Sequence, residues 1–80
     1  MRVKYDVDHK ASTMGLRFVI VDRSVSDYIA IRMVTFDGRY IDRVLVKRNR
    51  FAVMQDSLKD GLLQKYCVLK SIKNMKMRNK

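Results

Sequence analysis

The sequence predicts an α+β fold, with a small antiparallel sheet of three to four strands followed by one or two C-terminal helices. Three observations predict this class. The first half contains short runs of alternating or β-branched residues, which are typical of strands. The pair Asp37-Gly38 stands between two such runs and is a strong hairpin signal. Beyond Lys47 the apolar residues recur at helical spacing.

The first two strands are predicted from their residue patterns. "RVKYDVDH" alternates, which indicates a short strand with Val3, Tyr5 and Val7 on one side. "KASTMG" is interpreted as a loop. "LRFVIVDR", residues 16–23, is a β-branched and aromatic run that predicts a second strand. Residues 24–27 can then turn the chain.

Residues 27–48 predict a hairpin with two different faces. If Asp37-Gly38 forms a two-residue type I′ turn, with positive φ at both positions, Phe36 lies opposite Arg39. One face then forms a core of Ile29, Ile31, Met33, Val44 and Val46. The other face collects Tyr28, Arg32, Val34, Phe36, Arg39, Ile41, Arg43, Leu45 and Lys47. Arg32 lies directly opposite Arg43 on that face, and a bound anion would turn this repulsion into an attraction.

The second half predicts a helix. Phe51, Met54, Leu58 and Leu62 form one amphipathic stripe, with Asn49 as the expected N-cap and Gly61 as a stop or kink. Two interpretations remain for residues 62–80. The stripe continues as a helix, or "KYCVLKSI" forms another strand. The helix is favoured, with a basic, frayed end at residues 74–80.

Length and charge limit the class of protein. Eighty residues predict one small domain over 1–80, with a thin margin of stability that a homodimer would relieve. The net charge is +10, divided into +2 for residues 1–40 and +8 for residues 41–80. Such a field favours polyanionic partners, either nucleic acid or an acidic protein surface.

The sequence does not indicate an enzyme, a metal site or a cofactor. Asp6, Asp8 and His9 are interpreted as a polar strand end, because a short segment without a clear fourth ligand is a poor metal site. Cys67 lies in an apolar run and is expected to be a buried structural thiol. Gly-rich phosphate loops and nucleophile elbows are absent from the sequence.

No membrane partner is expected. No apolar run approaches the roughly 18 residues that span a bilayer, and "MRVKYDVDHK" lacks the apolar core of a secretion signal. A basic helix at residues 62–77 could lie on anionic lipid, but it lacks tryptophan and a wide polar face. A single cysteine also fits a reducing compartment, so the expected location is cytoplasmic or nuclear, in the host cell if the protein is viral.

The favoured function is largely sequence-independent binding of single-stranded DNA or RNA, in transcription or replication. Rings that stack on bases and cations that neutralise phosphates occur together on the hairpin, and the C-terminal cations add an electrostatic arm. The predicted site residues are Tyr28, Arg32, Phe36, Arg39, Arg43, Lys47, Arg48, Lys70, Lys73 and Lys76. The alternative is a small viral-type regulator whose basic surface docks on an acidic surface of a host protein complex.

The order of three strands followed by "VLVKRNRFAVMQDSL" resembles one family, the transcriptional coactivators of the positive-cofactor-four type. The resemblance covers about residues 16–62 and rests on element order and apolar pattern. It implies a twisted antiparallel sheet that ends in a short apolar strand and is followed by a helix that opens on an aromatic residue. It also implies dimerisation and binding of single-stranded DNA across basic and aromatic sheet surfaces. The basic turn "KRNR" and the segment from Tyr66 onward depart from the family pattern.

Overall fold

The protein is an antiparallel four-stranded meander with one long helix packed on one side. The computed structural model describes the backbone of residues 1–78 and the side chains of residues 1–73. The strands lie in the order β1-β2-β3-β4. The elements are β1 (Arg2–Asp6), α1 (His9–Ser12), β2 (Leu16–Asp22), β3 (Tyr28–Thr35), β4 (Tyr40–Lys47), a 3-10 turn (Arg48–Arg50) and α2 (Phe51–Arg78). The predicted α+β class is therefore confirmed.

The segment predicted as a loop between β1 and β2 contains the short helix α1, so that prediction was wrong. Asp8 is the N-cap of α1, and its carboxylate accepts a hydrogen bond from the Ala11 N–H at 3.1 Å. Such a cap satisfies a backbone donor that would otherwise lack a partner. Ala11 is fully buried in the main core cluster, so this single helical turn also packs on the core.

The β3–β4 turn differs from the predicted two-residue type. The Gly38 N–H donates to the Thr35 carbonyl at 2.9 Å, and the Thr35 N–H donates to the Arg39 carbonyl at 2.9 Å. Gly38 has φ 90°, whereas Asp37 has no positive φ. The loop therefore has three central residues with glycine in the left-handed position, and Thr35 rather than Phe36 lies opposite Arg39.

A bulge in β4 restores the predicted register further along the hairpin. Val34 pairs with Tyr40, whereas Met33 pairs with Asp42, so Ile41 is the extra residue. Ile41 packs against the main core and does not lie on the opposite face, where the sequence placed it. From Met33 back to Tyr28 the pairs follow the predicted register, and Arg32 lies directly opposite Arg43 as predicted.

The core lies between α2 and one face of the sheet. The buried residues Phe18, Leu16, Ile31 and Met33 are its largest fully enclosed side chains. From α2, Leu62 and Leu63 are buried in the same cluster, and further side chains of the helix stripe pack on it, namely Phe51, Met54, Leu58 and Tyr66. Amphipathic spacing predicted this stripe correctly.

Helix α2 begins and continues differently from the predicted boundaries. The 3-10 turn Arg48–Arg50 has no side-chain cap hydrogen bond, so Asn49 is not the N-cap that was expected. The helix passes through Gly61 without a stop and runs to Arg78, which confirms helix over strand for this segment. Of the end predicted to fray, residues 74–78 belong to α2, and residues 79–80 lie outside the described part of the chain.

Cys67 lies on α2 and is exposed, so the predicted buried thiol was wrong. Its Sγ is 3.7 Å from the Sδ of Met14. The apolar run around Cys67 indicated burial, but this part of the helix lies beyond the residues that pack on the sheet. In residues 1–78, no helix combines the length and the apolar character that crossing a bilayer requires.

Candidate nucleic-acid interface

The second face of the sheet is called the open face here, because no element within residues 1–78 packs on it. Its floor is a small apolar cluster on the two central strands, made of Val19, Val21, Ala30 and Val34. Around this floor, strand alternation and register place larger side chains on the same side. These are Val3, Tyr5, Arg17, Tyr28, Arg32, Tyr40, Arg43, Leu45 and Lys47.

The centre of the open face is cationic. Arg32 of β3 and Arg43 of β4 are direct cross-strand partners. Both line a shallow groove of about 230 Å³ to which Arg23, Tyr28 and neighbouring residues also contribute. The Arg32 Nε atom is buried and has no hydrogen-bond partner among the described residues. A buried donor without a partner is costly, so Arg32 occupies the centre of this face at an energetic cost.

All eight aspartates lie within the described residues, and none occupies a strand position on the open face. Asp6, Asp22 and Asp42 point to the helix side of the sheet or its edge, where they pair with Lys59, Arg48 and Lys65. The remaining aspartates lie in loops or in α2, at positions 8, 27, 37, 56 and 60. The arginines of the open face therefore lack internal counterions on their own surface.

Aromatic rings surround this cationic centre. The exposed fractions are 64% for Tyr5, 46% for Tyr28 and 55% for Tyr40. Phe36, in the β3–β4 turn, is 53% exposed, and the Arg17 guanidinium lies 5.3 Å from its ring centroid. Arg17 also donates to the Phe36 carbonyl at 3.2 Å. The Phe36 ring is thus held at one end of the face by a cation–π contact and a hydrogen bond.

The structure brings four of the predicted site residues together on the open face: Tyr28, Arg32, Arg43 and Lys47. Phe36 and Arg39 lie at its end, in the exposed turn. Lys70 and Lys73 are exposed on α2, the element that packs on the opposite side of the sheet. The side chain of Lys76 lies outside the described residues.

Arg48, which the sequence assigned to the site, lies outside the open face, and its guanidinium has structural partners. Its guanidinium lies 2.7 Å from the Asp22 carboxylate and donates to the carbonyls of Arg23 and Ser26, each at 2.8 Å. These contacts tie the end of β4 to the β2–β3 loop. The guanidinium is therefore occupied by structural partners.

Four residues on or beside the open face were not included in the site predicted from the sequence, namely Tyr5, Arg17, Arg23 and Tyr40. Tyr5 was recognised as part of an alternating strand, but not as a neighbour of the hairpin face. The pairing of β1 with β2, in which Tyr5 lies opposite Val19, extends the face by one strand. Alternation in "LRFVIVDR" already places Arg17, Val19 and Val21 on one side, and this was the signal that could have found Arg17.

The acidic cluster near the N-terminus has structural roles. Asp6 forms an ion pair with Lys59 of α2, and Asp8 caps α1. Among the described residues, no group of three or more histidine, cysteine or acidic side chains is placed to hold a metal ion.

Comparison with known proteins returned no match to a family model, a curated protein or a solved structure.

Proposed function

We propose that the protein binds single-stranded nucleic acid through the open face of its sheet, largely without sequence preference. The observation that carries the proposal is the Arg32–Arg43 pair, two cations directly opposite each other with no carboxylate on their surface. Like charges across a strand pair destabilise the sheet by roughly 0.2–1 kcal/mol. A phosphate between the two guanidinium groups accepts charge-assisted hydrogen bonds from both and offsets the repulsion.

The aromatic rings supply the second part of the proposed interaction. Tyr5, Tyr28 and Tyr40 each expose about half or more of their surface beside the arginines. Stacking of a base on such a ring contributes about 1–3 kcal/mol and tolerates any base. Bases reach these rings only when they are unpaired, and for this reason a single strand is favoured over a duplex.

The net charge and the element order support the same proposal. A net charge of +10 attracts polyanions to the protein and raises their association rate. The order of a meander and then a helix is the order implied by the resemblance to positive-cofactor-four type coactivators. A role in transcription or replication follows as part of the proposal. Dimerisation stays a prediction, which sedimentation at high micromolar concentration tests.

The test compares two double variants that remove the same charge from opposite sides of the sheet. Arg32→Gln/Arg43→Gln changes the open face, and Lys70→Gln/Lys73→Gln changes α2. Binding of a labelled 20-nucleotide strand is measured by fluorescence anisotropy at low and near-physiological salt, with the matched duplex as competitor. The open-face variant is expected to lose about tenfold or more in affinity and to lower the salt slope by about 1–2, whereas the α2 variant loses much less.

Equal losses in the two variants would show that binding depends only on total charge, and the open-face proposal would then be wrong. Equal affinity for strand and duplex would remove the stacking part. Urea unfolding of both variants shows whether a loss of binding arises from a loss of fold.

A further inference from the structure

The C-terminal end of α2 extends past the sheet and carries an uncovered apolar stripe. A helix of 28 residues is about 42 Å long, whereas a strand of eight residues spans about 26 Å. The side chains of α2 that pack on the core end at Tyr66. The following part, Cys67–Arg78, is called the helix extension here.

The stripe changes from buried to exposed along one side of the helix. Leu62 and Leu63 are only 6% and 3% exposed, whereas Val68, Leu69 and Ile72 are 57%, 56% and 45% exposed. Leu69 follows Leu62 by seven residues, so it continues the side of α2 that packs on the sheet. Val68, Leu69 and Ile72 together occupy an arc of about 100° around the helix. Val68, Leu69 and Ile72 therefore form an exposed apolar stripe within the part of the helix extension whose side chains are described, residues 67–73.

The charge of this segment indicates which kind of partner covers the stripe. From Gly61 to the end, the sequence contains six basic residues and no acidic residue. The one ion pair among the described side chains of this segment joins Lys65 to Asp42 of β4, at 3.2 Å. Lys70 lies 5.7 Å from the Tyr66 ring, and Lys73 is exposed. An apolar stripe that is bordered by Lys73 and Lys70 on its Leu69 side is complementary to an apolar groove with an acidic rim.

We propose that the helix extension docks into an acidic, apolar groove of a partner protein, independently of the open face. A phosphate backbone would neutralise the lysines but leave Val68, Leu69 and Ile72 in water. A second copy of the chain would bring the cations of two extensions together, which is unfavourable. A lipid surface favours helices with large aromatic anchors and a wider apolar face, and the stripe provides neither. The protein would thus connect a single strand on one side to an acidic protein on the other.

Site-specific photo-crosslinking tests this proposal in extracts of the source cell treated with nuclease. One variant carries p-benzoylphenylalanine in place of Leu69, and the matched control carries it in place of Ser71, which lies about 160° from Leu69 around the helix axis. The captured protein is identified, purified and titrated with the unmodified chain. We expect capture at position 69 but not at position 71, with the crosslink in a segment that combines apolar and acidic side chains.

Two further variants test whether binding of the purified partner depends on the apolar stripe or on total charge. Leu69→Ser/Ile72→Ser keeps every charge and is expected to weaken binding about tenfold or more. Arg32→Gln/Arg43→Gln removes two charges from the open face and is expected to leave partner binding nearly unchanged. Circular dichroism and thermal unfolding verify that both variants keep the fold.

The proposal is overturned by any of four results. These are equal capture at positions 69 and 71, capture of a second copy alone, absence of any protein adduct, and partner binding that Leu69→Ser/Ile72→Ser does not change. Binding of the helix extension to vesicles of one-third phosphatidylserine, abolished by the same double variant and without a protein adduct, would assign the stripe to lipid instead. None of these results affects the open-face proposal, which is measured with purified nucleic acid.

Discussion

Arg32 and Arg43 lie directly opposite each other on β3 and β4, and the Nε atom of Arg32 is buried without a partner. The sheet thus brings together two like charges at the centre of a surface where neither has a counterion. If these positions only stabilised the hairpin, an apolar or oppositely charged residue would be favoured at one of them. This pair is the basis of the proposal that the open face binds a polyanion.

The first prediction concerns the stability of the protein without a ligand. Arg43→Gln removes the cross-strand repulsion, and we expect it to raise the free energy of unfolding by about 0.2–1 kcal/mol at low salt. Urea unfolding at low and high salt measures the gain, which should shrink as salt screens the charges. Arg39→Gln, an equal charge change in the exposed turn, serves as the control. An equal gain in the control would attribute the effect to net charge.

The Arg32–Arg43 pairing could be predicted from sequence because alternation and a turn signal determine hairpin register locally. The turn itself was predicted with the wrong type, yet the register of residues 28–33 was right. The bulge at Ile41 compensates for the one-residue difference at the turn. The three-residue loop and the bulge shift the register in opposite directions, so their effects cancel. The sequence signals the hairpin clearly through Asp37-Gly38, but it signals neither of these two deviations as clearly.

Other features depend on non-local contacts and could not be predicted in the same way. Cys67 is exposed because the sheet beneath α2 ends before it, and helical periodicity does not show where the sheet ends. Tyr5 joins the open face only because β1 pairs with β2. The helix α1 is a single turn that depends on the Asp8 cap and the buried Ala11, and four residues are too few for a periodic signal.

The second prediction concerns the ion pair between Lys59 and Asp6. The Lys59 side chain is only 7% exposed, so it requires a partner for its charge. Asp6→Asn leaves the ammonium group without its partner, and we expect the free energy of unfolding to fall by about 2–4 kcal/mol. Adding Lys59→Met should recover most of this loss, because the double variant contains no buried charge.

A matched control for this prediction is the exposed pair of Lys10 and Asp60, whose atoms are 3.8 Å apart. Asp60→Asn should change the free energy of unfolding by less than about 0.5 kcal/mol. Urea unfolding of the three variants gives the comparison. A loss at Asp60 equal to the loss at Asp6 would contradict the assigned importance of burial.

The third prediction follows from the turn between β3 and β4. The hydrogen bond from the Thr35 hydroxyl lowers the pKa of Asp37 below its usual value of 3.8, and the nearby Arg39 charge acts in the same direction. Because the folded pKa is below the unfolded value, the carboxylate stabilises the turn above the unfolded pKa. This contribution is lost as the pH falls through the folded pKa.

NMR titration of the Asp37 carboxyl carbon measures this effect. In Thr35→Val the pKa of Asp37 should rise towards its usual value, because the donor is gone. Thr13→Val removes a hydroxyl that donates to the Lys10 carbonyl, far from this turn, and should leave the pKa of Asp37 unchanged. An unaltered pKa in Thr35→Val would show that another group determines it.

The fourth prediction concerns Cys67. Because the thiol is exposed on the helix, a water-soluble disulfide reagent should modify it in the native protein about as fast as in urea-unfolded protein. The reaction is followed by absorbance, and Cys67→Ser provides the blank. Protection of the native thiol by more than about a hundredfold would show that a partner, such as a second copy, covers this part of α2.

The fifth prediction tests whether β1 belongs to the nucleic-acid surface. Tyr5 is 64% exposed on the open face, so Tyr5→Leu removes a stacking ring but keeps apolar bulk on the strand. We expect single-strand affinity to fall by about 1 kcal/mol or more, with the salt slope unchanged because no charge is altered. Val25→Ala, at a residue 95% exposed in the β2–β3 loop, should leave affinity unchanged. If Tyr5→Leu binds like the unmodified chain, the single strand contacts the hairpin alone and β1 has only a structural role.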